Sequence, residues 1–274
     1  MNYSVVIPSL ANEATLPYLK LCVESLRASG FGGSIIVVTN GTKHKPALDI
    51  EGITIHTHVR TPGQCGAVNI GAQLVPPYDK FMMVSNDDMY YAPGWDEKLP
   101  KDMPLVWSPN LVEPENNAGS AQPFLKCDGG YTLDEFNKDR VDHFVSKNKE
   151  NTMEAGFNLP FFINMDVWRS IGGYDTTYDP WGSNSDTDLQ TLINIAGITP
   201  VRLRDVLVYH FSNKSGTFDG THQEEWQRNF DYYRTKFGYT RDDEPQADVW
   251  YNTNMVLEDK LTFEPEWKGK YLET

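Results

Sequence analysis

A chain of 274 residues with 39% apolar and 12% aromatic side chains can bury a full core, as one large domain or two closely packed ones. A formal net charge of −14, from 24 basic and 38 acidic residues, disfavours nucleic acid and anionic lipid as general partners. Cys22, Cys65 and Cys127 are odd in number and far apart, which excludes a disulfide framework and a zinc pattern; with no basic leader and no apolar run of membrane-spanning length, the expectation is a soluble, cytoplasmic protein.

Taken in order, Ser4-Val5-Val6-Ile7-Pro8 reads as a buried strand stopped by proline, and Ser9 to Glu13 as the loop after it. Leu16, Leu19, Val23 and Leu26 recur at helical spacing until Gly30. Ser34 to Thr39 is a second strand, closed by Asn40-Gly41, and Ile53 to Val59 an alternating third, whose His56 and His58 share a face that reads as solvated edge. Small residues from Gly63 to Ala72 open a short helix ended by Pro76-Pro77. The glycines do not have dinucleotide-loop spacing. Phe81 to Tyr90 is the next strand. Strands alternating with helices in this way predict a mostly parallel sheet covered by helices.

Leu105 to Ser108 is a further strand, and Glu113 to Gly130 a long polar loop. The capping box of Thr132 and Glu135 predicts a helix carrying Leu133, Phe136, Val141, Phe144 and Val145. Leu159 to Asn164 is apolar and leads into a helical turn or two at Met165 to Arg169. Gly172-Gly173 marks a tight turn before the aromatic loop Tyr178 to Gly182. Ser185 opens a helix with Leu189, Leu192, Ile193 and Ala196 as its stripe; Asp186 borders that stripe and Asp188 lies on its other side. Val201 to Tyr209 is a strand running into His210. Thr221 and Glu224 form a second capping box, before a helix whose face of Trp226, Phe230, Tyr233 and Phe237 reads as core or a dimer surface. The tail from Thr240 is acidic and polar.

The stretch from Phe81 to Tyr90 organises the chain. An apolar run ends in Asn86-Asp87-Asp88, and Pro93-Gly94-Trp95 turns the backbone. Acids at the carboxyl end of a central strand stand where open α/β sheets hold ligands. Alternation sends Asn86 and Asp88 one way and Asp87 the other. Asp88 therefore reads as a ligand for a divalent metal, and Asn86 as a contact to whatever the metal holds.

Four segments together resemble the family-2 glycosyltransferases of the GT-A fold: Val5 to Glu13, Ile36 to Gly41, Asn86-Asp87-Asp88 with Pro93-Gly94-Trp95, and Gly172 to Asp175 leading to Ser185 to Leu189 and then Val208-Tyr209-His210. The resemblance implies a GT-A-type, Rossmann-like sheet flanked by helices. It assigns 1–105 to a nucleotide-sugar-binding half, 106–215 to an acceptor-binding and catalytic half, and 216–274 to a C-terminal helical extension. It implies metal-dependent, inverting transfer from a nucleotide-diphosphate sugar, of the UDP type, to an acceptor hydroxyl.

By the same resemblance Pro8, Ser9, Leu10, Asn12 and Glu13 line the base and ribose pocket, with Thr39 and Asn40 beside the base and Asn69, Asn86 and Asp87 facing the nucleotide. Asp88 and His210 hold Mn²⁺ or Mg²⁺. Asp186 takes the position of the base, with Asp188 as the alternative. Tyr178 and Trp181, together with Tyr174, are candidates to stack on an acceptor sugar. Two positions depart from the family pattern. Thr39 stands where an acid commonly contacts the base, and Ser185 where a glutamate commonly precedes the catalytic aspartate. The competing readings are a sugar-1-phosphate nucleotidyltransferase, against which the loop Ser9 to Glu13 counts because it has no glycine or basic residue, and a sugar-nucleotide-binding protein without catalysis. The acceptor stays open among glycan, lipid-linked sugar, protein and modified base.

Overall fold

The structure is a computed structural model, and it describes residues 2–40, 53–58, 62–97, 99, 103–115, 124–212, 214 and 221–238. The expected tail beyond residue 238 lies outside these residues. The first half supplies β1 (Tyr3–Ser9), α1 (Leu16–Ala28), β2 (Ile35–Asn40), β3 (Ile53–His58), α2 (Gly63–Gln73), β4 (Phe81–Val84) and β5 (Met89–Tyr90). The second half supplies β6 (Val106–Glu113), β7 (Leu125–Lys126), α3 (Lys138–Lys147), β8 (Met153–Ala155), β9 (Phe161–Asn164), α4 (Met165–Ile171), α5 (Ser185–Ile195), β10 (Val201–His210) and α6 (Gln223–Phe237).

Among the described residues ten strands form one sheet in the order β3-β2-β1-β4-β9-β6-β10-β5, with β7 beside β6 and β8 beside β10. The β3-β2-β1-β4 portion is parallel throughout. The second half joins through β9, which runs antiparallel to both β4 and β6. The sheet is thus mixed, with β3-β2-β1-β4 its longest parallel run. Its strands are apolar on both faces because helices cover both. One face packs Val6, Val38, Val84 and Ile163 against α2, α4, α5 and α6. The other packs Val5, Ile7, Val37 and Met83 against Leu19, Val23 and Leu26 of α1. On that second face Trp107 stacks on Phe162 with ring centroids 3.9 Å apart, an aromatic pair worth about 0.5–1.5 kcal/mol beyond its area burial.

Three boundaries differ from the sequence expectation. The run Phe81 to Tyr90 is not one strand. β4 stops at Val84, Asn86-Asp87-Asp88 turn the chain, and β5 pairs antiparallel with β10. The strand expected to end at Ser108 continues through Pro109 to Glu113. Pro109 has no N–H to give, and beside it the register of β10 shifts between Leu203 and Leu207; a bulge is where a central sheet tolerates proline. The helix expected from Thr132 begins at Lys138 instead, capped by Asn137, whose side chain accepts from the Arg140 N–H. The Glu135 carboxylate folds back onto the N–H groups of Tyr131 and Thr132, closing a turn, and Phe136 packs beside Tyr90.

Candidate functional site

Three neighbouring parallel strands end together at the carboxyl edge of the sheet. The loop after β1 carries Pro8 to Glu13, β2 ends on Thr39 and Asn40, and the turn after β4 carries Asn86 to Asp88. Local bonds hold each loop. The Ser9 hydroxyl donates to Asp87 Oδ2 at 2.5 Å and accepts from the Ala11 N–H at 3.0 Å. Asn12 Oδ1 accepts from the N–H groups of Ala14 and Thr15, which turns the chain into α1. Asn40 Oδ1 accepts from the Gly63 N–H at 3.1 Å and ties the start of α2 to the end of β2. Pro8 and Leu10 are half-buried and Glu13 is exposed, while Thr39 is buried and reaches the carbonyl of His56.

Asp87 and Asp88 face different partners, and it is the turn, not strand alternation, that separates them. Asp87 looks to Ser9 of β1. Burial, and then the Asp88 charge, push its carboxyl up to about 7 against the Ser9 bond. Asp88 looks to β10. Its Oδ1 lies 3.3 Å from His210 Nε2, and the Phe211 N–H donates to its carbonyl at 3.0 Å. Burial would raise Asp88, but the charge and hydrogen bond of His210 outweigh it and hold the carboxyl below the ordinary range. His210 Nδ1 lies 3.3 Å from Glu113 Oε1, and Lys126 Nζ donates to Glu113 Oε2 at 2.9 Å. Burial opposes charge on His210, yet the two carboxylates raise it to about 9. Burial likewise opposes charge on Glu113, but His210 and Lys126 lower it to about 2.

The residues around Asp88 can be tested for a divalent cation. A carboxylate oxygen and an imidazole nitrogen converge within 3.3 Å, and a hard-to-borderline ion such as Mn²⁺ accepts both donors. Among the described residues no group of three His, Cys, Asp or Glu side chains surrounds one point. The pair therefore fits a cation as a two-residue platform, whose other positions a ligand's oxygens or water would fill.

Asp186 stands at the start of α5. The N-terminus of α2, tied to Asn40, is capped by Asp179, whose two carboxylate oxygens accept from the Cys65 and Gly66 N–H groups at 2.9 and 3.0 Å. Gly63 there has φ +77°, and a Cβ on it would overlap the Asp179 carboxylate. The segment that leads into α5 lies against this turn: the Gln64 N–H donates to the Pro180 carbonyl at 3.3 Å, and a Cβ on Gly182 would meet Gln64. Asp186 is half-buried, and its Oδ1 accepts from the Tyr174 hydroxyl at 2.6 Å. Burial raises the Asp186 carboxyl, and the Tyr174 bond only partly offsets that.

The other expected residues are placed differently. Asp188 is buried; it accepts from the Tyr178 hydroxyl at 2.8 Å and pairs with Lys236 Nζ at 2.6 Å. Burial pushes it up to about 6 against both contacts. Tyr178 is 0% exposed and Tyr174 2%, so neither presents a face to an acceptor. Their phenols instead serve Asp188 and Asp186. Trp181 is half-buried and stacked on His222, with ring centroids 3.8 Å apart. Asn69, expected to face the nucleotide, clamps the Tyr174 backbone, donating to its carbonyl at 2.8 Å and accepting from its N–H at 3.0 Å. Sequence reasoning missed Glu113, Lys126, Asp179 and Lys236. Only Glu113 carried a signal, as an acid closing an apolar strand.

No known family profile matches the sequence, and no curated protein aligns with it. Solved structures do match its shape. GalNAc-T7, in a complex with UDP, GalNAc and Mn²⁺, superposes with a TM-score of 0.54 at 15% identity over 91% of this chain. TarS of S. aureus gives 0.53 at 10% identity over 88%, and the mannosyltransferase PcManGT from Pyrobaculum calidifontis, with GDP-Man and Mn²⁺, gives 0.51 at 14% over 92%. The chain spans 53% of the GalNAc-T7 chain, 40% of the TarS chain and 67% of the PcManGT chain. Among the described residues no helix is long and apolar enough to cross a membrane. Sheet order, covering helices and these superpositions together show that the chain has the GT-A glycosyltransferase fold.

Proposed function

We propose that the protein is a metal-dependent, inverting glycosyltransferase that moves a sugar from a nucleotide-diphosphate donor, of the UDP type, to an acceptor hydroxyl. The observation that carries this reading is the meeting of Asp88, from the turn after β4, with His210, from the end of β10, at the carboxyl edge of the sheet. The donor nucleotide lies along the loop after β1 and the end of β2, where Ser9, Asn12 and Asn40 are held by local bonds. Asp88 and His210 would hold the cation. When bound, the cation supplies Lewis-acid stabilisation of charge on the departing diphosphate.

Asp186 takes the proton of the attacking hydroxyl. Its second oxygen is left for that proton while Tyr174 fixes the first. A carboxyl raised by burial is a stronger base than a solvated one, which suits proton transfer near neutral pH. Attack from the face opposite the diphosphate inverts the anomeric centre. Asp188 is the weaker candidate, because Lys236 and Tyr178 occupy it inside the core. The loop after β1 lacks the glycine and basic residue of a nucleotidyltransferase, which disfavours that rival.

The test compares UDP and GDP, each with Mn²⁺, by thermal shift and by donor hydrolysis. One nucleotide with metal should raise the melting temperature, and Asp88→Ala should abolish the metal-dependent part. Asp186→Asn should keep that shift yet lower turnover by roughly 10²–10⁴-fold. No stabilisation by either nucleotide with metal would overturn the donor site. A shift with no transfer from any donor, unaffected by Asp186→Asn, would support a binding protein without catalysis.

A further inference from the structure

We propose that Glu113 is a positioning residue for His210, held in place by Lys126, and that this row selects the imidazole nitrogen offered to the cation. The inference rests on the metal platform proposed above and adds residues that it did not include. The sheet itself builds the row. β6 and β10 are parallel, with Leu111 opposite Val208 and Val112 opposite Tyr209, so the next rung brings Glu113 opposite His210. On its other side Glu113 is paired in register with Lys126 of β7. Side chains opposite one another on adjacent strands project from the same face. The contacts follow: Nδ1 of His210 to Glu113 Oε1 at 3.3 Å, and Lys126 Nζ to Glu113 Oε2 at 2.9 Å.

The chemical consequence concerns direction. An imidazole has two nitrogens, and the one that keeps its proton cannot bind a cation. Glu113 accepts from Nδ1–H, so the proton that a cation would displace is the one on Nε2, which in the metal-free protein points to Asp88 Oδ1. Glu113 is only 3% exposed, so water does not substitute for it. Lys126 occupies its second oxygen and prevents the carboxylate from turning toward the cation itself. Carboxylates behind a ligating histidine are typically worth about 10–100-fold in metal affinity.

The test measures Mn²⁺ affinity in the presence of the stabilising nucleotide, by calorimetry, in the wild type and in Glu113→Leu, Glu113→Gln and Lys126→Met. Glu113→Leu should weaken Mn²⁺ by about 10–100-fold, and Glu113→Gln, whose amide oxygen still accepts from Nδ1–H, should restore most of it. Lys126→Met should have a smaller effect. With Mg²⁺ in place of Mn²⁺, ¹⁵N spectra of the wild type should show the His210 proton on Nδ1, and Glu113→Leu should show mixed tautomers. Melting without metal identifies a variant that fails to fold, and Glu113→Gln then carries the tautomer measurement alone. Unchanged affinity in a folded Glu113→Leu, or the wild-type proton on Nε2, would overturn the proposal while leaving the platform intact. Absence of Mn²⁺ binding in the wild type would overturn the platform instead.

Discussion

Two aspartates two residues apart in α5 have separate fates because of what reaches them. Asp186 meets one phenol, whereas Asp188 meets Tyr178 and the Lys236 ammonium, which also lies 2.8 Å from Asp175 Oδ2. Lys236 is thus a buried cation shared by two buried carboxylates. Removing one partner of a buried charge cluster leaves uncompensated charge, so Lys236→Met should cost about 3–5 kcal/mol in urea unfolding. A cost under about 1 kcal/mol would show that the cluster is not ionised. Asp188→Asn should lower stability while leaving turnover within a few-fold of wild type. A large loss of turnover with unchanged melting would instead make Asp188 the base. None of this was legible locally, since Asp186 and Asp188 look alike as first-turn helix acids. What separates them comes from α6, whose Lys236 lies 48 positions further along the chain.

At the scale of elements, the alternation of apolar strands and amphipathic helices was readable, and β1, α1, β2, β3, α2 and the start of β4 fall where periodicity put them. The carboxyl-edge loops were readable for the same reason, because topology fixes where parallel strands end. The antiparallel insertion of β9 between β4 and β6 was not, since a short apolar run carries no sign of its partner's direction. Nor was the length of β6, because Pro109 reads as a stop unless the neighbouring bulge is known. That bulge sets where His210 points. Leu203 opposes Pro109 and Leu207 opposes Asn110, so β10 spends four residues on one rung of β6. Because side chains alternate, adding one residue between Arg204 and Val206 should either slip the pairing or turn His210 to the opposite face. The expected outcome is a folded protein that loses its metal-dependent stabilisation. Retention of that stabilisation would show that the bulge absorbs insertions.

For the whole molecule, acidity and burial act together on stability. Burial first raises Asp87 to about 7 and Asp179 and Asp188 to about 6, so between about pH 4 and 7 the folded chain binds more protons than the unfolded one. Stability therefore falls as pH rises through that window. His210, raised to about 9, contributes stability that is present below its unfolded value and is lost as pH rises through 9. Glu113, lowered to about 2, acts only at the acid end, where its contribution is lost as pH falls below its ordinary value toward 2. The metal-free protein should melt higher at pH 5 than at pH 8, and higher again in salt that screens a formal charge of −14. A flat or rising profile from pH 5 to 8 would contradict these assignments. The buried bridge from α6 has one more consequence, for the order of events during synthesis. The four parallel strands and their helices leave the ribosome long before residue 236 does, so the first half can assemble while Asp175 and Asp188 still wait for their counter-charge. A nascent chain would gain its parallel strands first and the counter-charge for Asp175 and Asp188 only when its last described helix arrives.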